Sequence, residues 1–486
     1  MTKKKKSIFK RIGFYFASLY TILTVAFIAQ LFIVNVLPFK YIVLVVFALV
    51  LILLGLNYLQ LSKRINKANR ILGTILILLM SLLLSIGNWY LFATNSAFSK
   101  MTNDNSETTI VSVVVLKDSN IKGLEGLKNK KVGYSKTSNL NVINKAIKDF
   151  KKDMNNKIEV ISDSTHKSVV ESLYNKDIEA IILDEATRGM FEDEFEDFTT
   201  KTKVIKSYNY KTVTKDISKN VDVTSSPFNV YITGIDTYGT LATVARSDVN
   251  MIASVNPKTN QILLVSIPRD YYVPQTCQGN QKDKLTHTGI YGVNCTVDSM
   301  SDFLDIDVNY YARVNFSSLV DIVNSLGGIT VDNPVSFVAF DNKIFPANSN
   351  LPLNGEQALS YSRERESLAG GDRDRGKNQM RVITGIINKA LSPAIITKYT
   401  SILSAVSGSF QTNMTNSEMT SFIKKQVNDM NGWTITQYAV DGTGETNWSP
   451  ANGFPSYVMQ PDMNTVNKAV ELINKLHAGE DISGLV

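Results

Sequence analysis

Three uncharged stretches dominate the first hundred residues of this 486-residue chain. Between Arg11 and Lys40 lie 28 residues, mostly Phe, Ile, Leu, Val and Ala; between Lys40 and Lys63 lie 22, and between Arg70 and Lys100 lie 29. A helix needs about 20 apolar residues to cross a hydrocarbon core of about 30 Å, so each stretch qualifies. A cleaved signal peptide would share the basic start at Lys3 to Lys6. Its apolar run is shorter, however, and two further spans do not follow it. Residues 1–100 therefore read as an anchor of three transmembrane helices.

Charge orients that anchor. The first hundred residues hold twelve basic side chains and no carboxylate, whereas the remaining 386 hold 39 basic and 44 acidic ones. The net charge of +7 thus belongs to one end, and the excess of carboxylates in the rest argues against nucleic acid as a partner. Lys3, Lys4, Lys5, Lys6, Lys10 and Arg11 precede the first span; Lys63, Arg64, Lys67 and Arg70 fill the second loop, against Lys40 alone in the first. The positive-inside rule places the N-terminus in the cytoplasm and everything after about Lys100 outside a cell membrane. Cys277 and Cys295 both fall in that outer part, where a disulfide persists. Two buried thiols are the alternative, and two Cys are too few for a Cys-only metal site.

The outer part reads as two α/β units. A β-branched run at Ile110 to Leu116, short strands at Lys131 to Tyr134, Lys157 to Ile161 and Ala180 to Leu183, and helical spacing over Asn139 to Phe150 and Thr165 to Tyr174 predict a small accessory domain at 101–215. It carries no phosphate loop and no metal spacing, and is expected to do no chemistry. The chain turns polar between Tyr208 and Ser226, which marks a boundary. Strands then follow at Phe228 to Asp236, Asp248 to Val255 and Gln261 to Ile267. Helices follow at Asn315 to Leu326, capped by Asn315 and ended by Gly327 and Gly328, and at Asp462 to His477. Residues 216–486 are the second and larger domain.

Arginine carries the chemical signal. Arg246 stands beside Asp248, Arg269 follows a strand, and a run from Arg363 through Arg365, Arg373 and Arg375 leads to Gln379. A guanidinium stays charged and matches a phosphate bidentately, so several converging forks suit a pyrophosphate. Asp236 and Asp248 are a carboxylate pair of the kind that holds Mg²⁺. The alternative is a solvated ion-pair loop, because Glu364, Glu366, Asp372 and Asp374 interleave with the arginines and surface pairs are worth little.

Three ordered segments resemble signatures of the LytR–CpsA–Psr family: residues 315–331 (NFSSLVDIVNSLGGITV), 353–363 (LNGEQALSYSR) and 372–379 (DRDRGKNQ). Three spans plus an accessory unit are similar to its capsule branch, the CpsA or Wzg type. The resemblance implies an α/β/α catalytic domain with a central mixed sheet. It also implies a membrane-anchored phosphotransferase that moves capsular polysaccharide, or a teichoic-acid-like polymer, from a polyprenyl-pyrophosphate carrier to peptidoglycan. By motif position, Asp236 and Asp248 would hold Mg²⁺ or Mn²⁺. Arg246, Arg269, Arg363, Arg365, Arg375 and Gln379 would clamp the pyrophosphate, with Arg373 a further candidate. Asp236, Arg246, Arg269 and Arg375 would be the catalytic set, and the base would be Asp236, Asp372 or Asp374.

Two other readings compete. A polyprenyl-pyrophosphate phosphatase would use the same groups with water as acceptor, and a regulator would bind the lipid without catalysis. A serine nucleophile finds little support, because the chain has only three His and no Gly-x-Ser-x-Gly. His166, His287 and His477 are each expected at the surface.

Overall fold

The computed structural model describes residues 8–62, 64–102, 106–235, 243–392 and 410–486. Its chain groups into a helical unit and an α/β unit.

The helical unit contains α1 (Ile8–Val34), α2 (Phe39–Leu61) and α3 (Lys67–Thr102), together with the helix Asn416–Asp429. All three N-terminal helices are long and apolar enough to cross a membrane. Several of their polar side chains find partners on neighbouring helices or turns. Asn57 donates to Thr21 Oγ1 at 3.1 Å, Asn88 to the Leu23 carbonyl at 3.2 Å, and Gln60 to the Arg70 carbonyl at 2.9 Å. Gly87 lets α3 approach α1, since a Cβ there would lie 2.6 Å from the Phe27 ring.

In the α/β unit the accessory sheet has the order β3-β2-β4-β1-β5. Its strands are β1 (Ser106–Leu116), β2 (Lys131–Ser135), β3 (Glu159–Asp163), β4 (Ala180–Asp184) and β5 (Thr202–Val213). β2 runs parallel to β3 and β4, whereas β1 is antiparallel to β4 and β5. Both faces are covered, which is why the centres of β1 and β4 read as largely apolar runs and not as a strict alternation. Val111, Val113 and Val115 pack with Ile143 and Phe150 of α4 (Leu140–Asp153). Val114 and Leu183 pack with Val170 of α5 (His166–Tyr174) and Phe191 of α6 (Arg188–Glu194). The short α7 (Phe198–Lys201) leads into β5. Residues Tyr208 to Val213, polar in sequence, are therefore strand and not linker: their alternating side chains line the open face of an edge.

The larger region has a six-stranded mixed sheet of order β16-β11-β6-β7-β8-β17. Its long strands are β6 (Phe228–Ile235), β7 (Ser247–Asn256) and β8 (Gln261–Ser266). A hairpin of β9 (Tyr272–Gln275) and β10 (Gln281–Lys284) and the helix α8 (Val293–Leu304) precede β11 (Tyr310–Asn315). Then come α9 (Phe316–Ser325) and a ribbon of β12 (Ile329–Asn333) with β15 (Asn348–Leu353), with the two-residue strands β13 (Phe337–Val338) and β14 (Ile344–Phe345) between them. α10 (Gly355–Arg363), α11 (Asp372–Ala390), β16 (Gln411–Thr412), β17 (Thr434–Ala439), the hairpin β18 (Gly442–Ser449) and β19 (Phe454–Pro461), and a last helix Met463–Ala478 complete it.

One face of this sheet offers Tyr231, Ile252, Leu263 and Val265 to α8 and the last helix. The opposite face receives α11, where Gly376 has no room for a Cβ beside Ser266 Oγ. Helices on both faces of a mixed sheet are the α/β/α architecture expected for residues 216–486.

The two α/β regions are joined by a buried ion pair, Arg313 Nη1 to Glu107 Oε1 at 2.6 Å, and the same carboxylate oxygen accepts from the Val293 amide. Cys277 and Cys295 are bonded, with Cα atoms 5.3 Å apart. The surface expectation for histidine is corrected. His166 and His287 are each 2 % exposed: His166 stacks on Phe191, and His287 pairs with the buried Asp283 at 3.0 Å. His477 is half-buried against Ser254 Oγ.

Candidate active site

The arginines singled out in the sequence come from four separate places in the fold. Arg246 and Asp248 flank the first residue of β7. Arg269 follows β8 after Pro268. Arg363 is the last residue of α10, whose start is set by a capping box between Asn354 and Gln357 and whose end is set by the extended backbone of Glu364. Arg375 and Gln379 lie four residues apart on α11, hence on one face. That helix begins after Gly371, whose φ of +54° suits glycine, and Asp372 and Asp374 in its first turn face the positive end of its dipole.

Arg246, Asp248, Arg269, Arg363, Arg365, Arg375 and Gln379 all line one cavity of about 380 Å³. Asp248 is the carboxylate of this group. Oδ1 accepts from Arg269 Nη1 at 3.0 Å and from Thr286 Oγ1 at 2.9 Å, while Oδ2 is buried without a hydrogen-bond partner among the described residues. Burial pushes the Asp248 carboxyl up, but Arg269, then Arg246 and Arg375, outweigh it and hold it below the usual carboxylate range. The same carboxylate raises the Arg269 guanidinium above its ordinary value. Arg375 is buried, paired at 2.5 Å with Asp372 Oδ1, and pulled down by burial and by the charge of Arg269. Arg269 and Arg375 each have a carboxylate partner, whereas Arg363 in the same cavity pairs with none among the described residues, which leaves the site a guanidinium available to an anion.

The other half of the cavity is apolar. Ile235, Val249, Val314, Phe316, Leu319, Phe340 and Leu359 line it. Arg363 lies over the Phe316 ring at 4.1 Å and the Phe340 ring at 5.1 Å. Among the described residues no carboxylate pairs with it. Phe316 and Leu319 read in sequence as part of the helix's core stripe; in the fold they stay half-buried and open into the cavity.

Several expectations change. Arg373 lines a second cavity of about 270 Å³ and not the first; its Nε pairs with Asp441 at 2.7 Å, because at one residue past Asp372 it points to another face of α11. Arg365 sits half-exposed at the rim, 3.8 Å from Glu366. Glu364 is no solvated loop carboxylate: it is 2 % exposed and accepts from the Phe340 amide at 2.6 Å and the Ser367 amide at 2.8 Å. Asp374 accepts from the Gly370 amide, pairs with Lys377 and lines neither cavity, whereas Asp372 lines the second. Asp236 lies outside the described residues.

The accessory region was expected to contribute nothing here, yet Glu192 and Asp193 of α6 line the first cavity. Asp193 Oδ2 accepts from Arg246 Nη1 at 2.7 Å, and the missing side chain of Gly189 makes room for the same guanidinium. Nothing local in the sequence announces this. Contacts between residues some fifty positions apart exist only once two separate sheets have docked.

The LytR_cpsA_psr family model matches residues 195–471. The chain belongs to that family. Among curated relatives, the polyisoprenyl-teichoic acid–peptidoglycan teichoic acid transferase TagU of Enterococcus faecalis is 39 % identical over 214 residues, 43 % of this chain and 69 % of that protein. Bacillus subtilis TagU is 38 % identical over 202 residues, 41 % of this chain and 63 % of that protein. The match thus spans about two thirds of each relative's length. The crystal structure of B. subtilis TagV is 26 % identical and covers 53 % of this chain and 99 % of that one, with a TM-score of 0.44. A score that low carries no weight for the fold, which stands on the sheet order above. A second model, DNA polymerase processivity factor, matches residues 66–183, a stretch running from an apolar helix into the accessory sheet and including none of the arginines of the cavity.

Proposed function

We propose that this chain is a membrane-anchored glycopolymer transferase, taking a polymer from a polyisoprenyl-pyrophosphate carrier and joining it to peptidoglycan through a phosphodiester. The observation that carries the reading is the first cavity: Arg246, Arg269, Arg363 and Arg375 converge beside an apolar wall in one space. A pyrophosphate needs the forks, and the polyisoprenyl chain attached to it needs the wall. The curated relatives are named for teichoic acid. The three spans and accessory unit favour a capsular polysaccharide as the cargo here.

In this reading a sugar hydroxyl attacks the phosphorus nearer the glycan, and the polyisoprenyl phosphate leaves. Arg269 and Arg375 hold the non-bridging oxygens, and Arg246 and Arg363 take charge that develops on the leaving phosphate. Gln379, on the same helix face as Arg375, adds a neutral donor. The apolar wall excludes water and so favours the hydroxyl over hydrolysis.

The residues present fit a hard divalent cation. Asp248 Oδ2 is a buried carboxylate oxygen without a hydrogen-bond partner among the described residues, and Mg²⁺ takes one or two carboxylates plus phosphate oxygens and waters. Asp248, with Asp236, would hold Mg²⁺ or Mn²⁺, and the ion would supply neutralisation of phosphate charge.

The assay is transfer by the full chain in detergent, with a defined polyprenyl-pyrophosphate glycan as donor and uncrosslinked peptidoglycan strands as acceptor. Glycan-phosphate linked to peptidoglycan is expected. Release of free glycan phosphate alone would make the chain a phosphatase, and binding without either product would make it a lipid-binding regulator. The proposed outward orientation is checked at Ser225→Cys in a chain lacking Cys277 and Cys295: intact cells should label it, and labelling confined to lysed cells would reverse the topology.

A further inference from the structure

The second cavity shares Asp248, Arg269, Arg375 and Gln379 with the first. Beyond those four, its character differs. Ser266, Asp372, Arg373, Lys377 and Asp441 line it beside the small apolar surfaces of Ile267, Pro268, Ala439 and Val440, and none of the described residues lining it is aromatic. Its 270 Å³ is room for a sugar ring, with polar groups the majority of its walls. Donors and acceptors both face it: Arg373 Nε and Asp441 Oδ1 stand 2.7 Å apart, and Asp372 faces it from the first turn of α11. A ring of hydroxyls is the ligand that uses both kinds of group at once.

The shared wall holds an unsatisfied group. Arg269 Nε is buried and finds no hydrogen-bond partner among the described residues, with Asp270 at 3.9 Å and Asp372 at 4.0 Å both beyond reach. An oxygen brought over that wall from the second cavity would satisfy it. Phosphoryl transfer adds a direction, because the attacking and leaving oxygens lie roughly in line through phosphorus. If the leaving lipid phosphate occupies the first cavity, with its apolar wall, then the adjoining cavity that shares the same arginines is the approach left to the attacking hydroxyl.

We infer that the second cavity is the acceptor subsite, holding a sugar of the peptidoglycan glycan strand, with Arg373 and Asp441 on its hydroxyls and Asp372 beside the one that reacts. The inference rests on the transferase reading above. The acceptor oxygen forms a bond to the phosphorus nearer the donor glycan. The bridging P–O bond breaks, its electron pair leaves with the polyisoprenyl phosphate, and the hydroxyl proton passes to the Asp372 carboxylate and from there to water. Asp374, tied to Gly370 and Lys377, is out of reach for that role. Arg373 thereby moves from the pyrophosphate clamp to recognition of the acceptor.

The test uses the full chain in detergent, with the donor and acceptor named above, and reads three quantities: donor affinity, acceptor KM and kcat. Arg373→Ala should raise acceptor KM roughly tenfold, one hydrogen-bonded charge, with donor affinity kept within about twofold. Asp441→Asn, on a different element, should reproduce that pattern, so that a folding defect in one variant cannot mimic it. Both side chains are nearly half-exposed, and their mutual pair contributes little to stability. Arg373→Lys should recover part of the acceptor affinity. Asp372→Asn should lower kcat at least about a hundredfold with acceptor affinity retained, the scale of a lost general base. Donor affinity falling in step with acceptor affinity would make the second cavity part of the donor site, and unchanged acceptor KM in both Arg373→Ala and Asp441→Asn would empty it of function; either overturns the inference while wild-type transfer still upholds the transferase reading. Absence of transfer by the wild type would overturn both.

Discussion

Arg363 and Arg269 line the same cavity, but truncating them should give two different defects. Arg363 rests on the Phe316 and Phe340 rings at 4.1 and 5.1 Å, contacts worth about 0.5–1 kcal/mol each at a partly exposed site. Arg363→Ala should therefore leave the fold nearly as stable as before. A charged hydrogen bond to the pyrophosphate is worth about 1.5–3 kcal/mol, so donor affinity should fall roughly ten- to a hundredfold. Arg269 is bonded to the buried Asp248 at 3.0 Å. Arg269→Ala removes the same kind of fork and also strands that carboxylate, which costs about 3–5 kcal/mol of stability. Arg269→Ala should then lose both affinity and thermal stability, and Arg363→Lys should recover only part of the affinity because an ammonium offers no planar fork. The assay is binding of a polyprenyl pyrophosphate to the full chain in detergent, beside thermal unfolding of each variant. Glu366→Gln is the control, since that side chain is 81 % exposed; Glu364→Gln is not, because Glu364 holds the Phe340 loop in place. If Arg363→Ala binds like the wild type and Arg269→Ala unfolds at the wild-type temperature, the arrangement described here is wrong.

Three further outcomes follow from the geometry. Asp193→Ala should loosen Arg246 and weaken donor binding by no more than about fivefold, the range of a half-exposed ion pair; a titration of donor into the variant checks it, and a total loss would mean a larger role for α6. Reducing the Cys277–Cys295 bond should destabilise the α/β unit by about 3 kcal/mol, read as a drop in its unfolding midpoint under reductant. Asp184 is fully buried, and burial, with only partial relief from the Ala186 amide, pushes its carboxyl up to about 7. Its folded value lies above the unfolded one near 3.9, so its contribution to stability is complete below about pH 4 and is lost as pH rises through 7. Asp184→Asn should flatten that slope, gaining at most about 4 kcal/mol at pH 8, and an unchanged pH profile of the melting temperature would refute the shift.

Much of the local structure was legible in the residues themselves. Asn315 accepts from the Ser318 amide at the start of α9, Thr165 forms a capping box with Ser168, and Gly327 and Gly328 adopt positive φ where α9 ends. These signals act within a turn of helix, so a sequence states them directly. The three long apolar helices were equally plain, because span length and apolar composition are properties of the linear chain. Seven arginine, carboxylate and amide positions taken from motif resemblance do share one cavity.

What the sequence left open depends on distances between segments far apart in the chain. Arg363 and Arg373 look alike in a run of alternating charge, yet one ends a helix over two aromatic rings and the other turns to Asp441 in a different cavity. Glu364 and Glu366 also look alike, and one is buried under backbone amides while the other is solvated. Only docking of the accessory sheet brings Asp193 to Arg246. The sequence by itself determined the three apolar helices of spanning length, the alternation of strands and helices and the kinds of charge available. The tertiary structure decided which of those charges meet, because electrostatic and hydrogen-bond energies depend on separations of a few ångströms and on burial, neither of which exists until the sheets have packed.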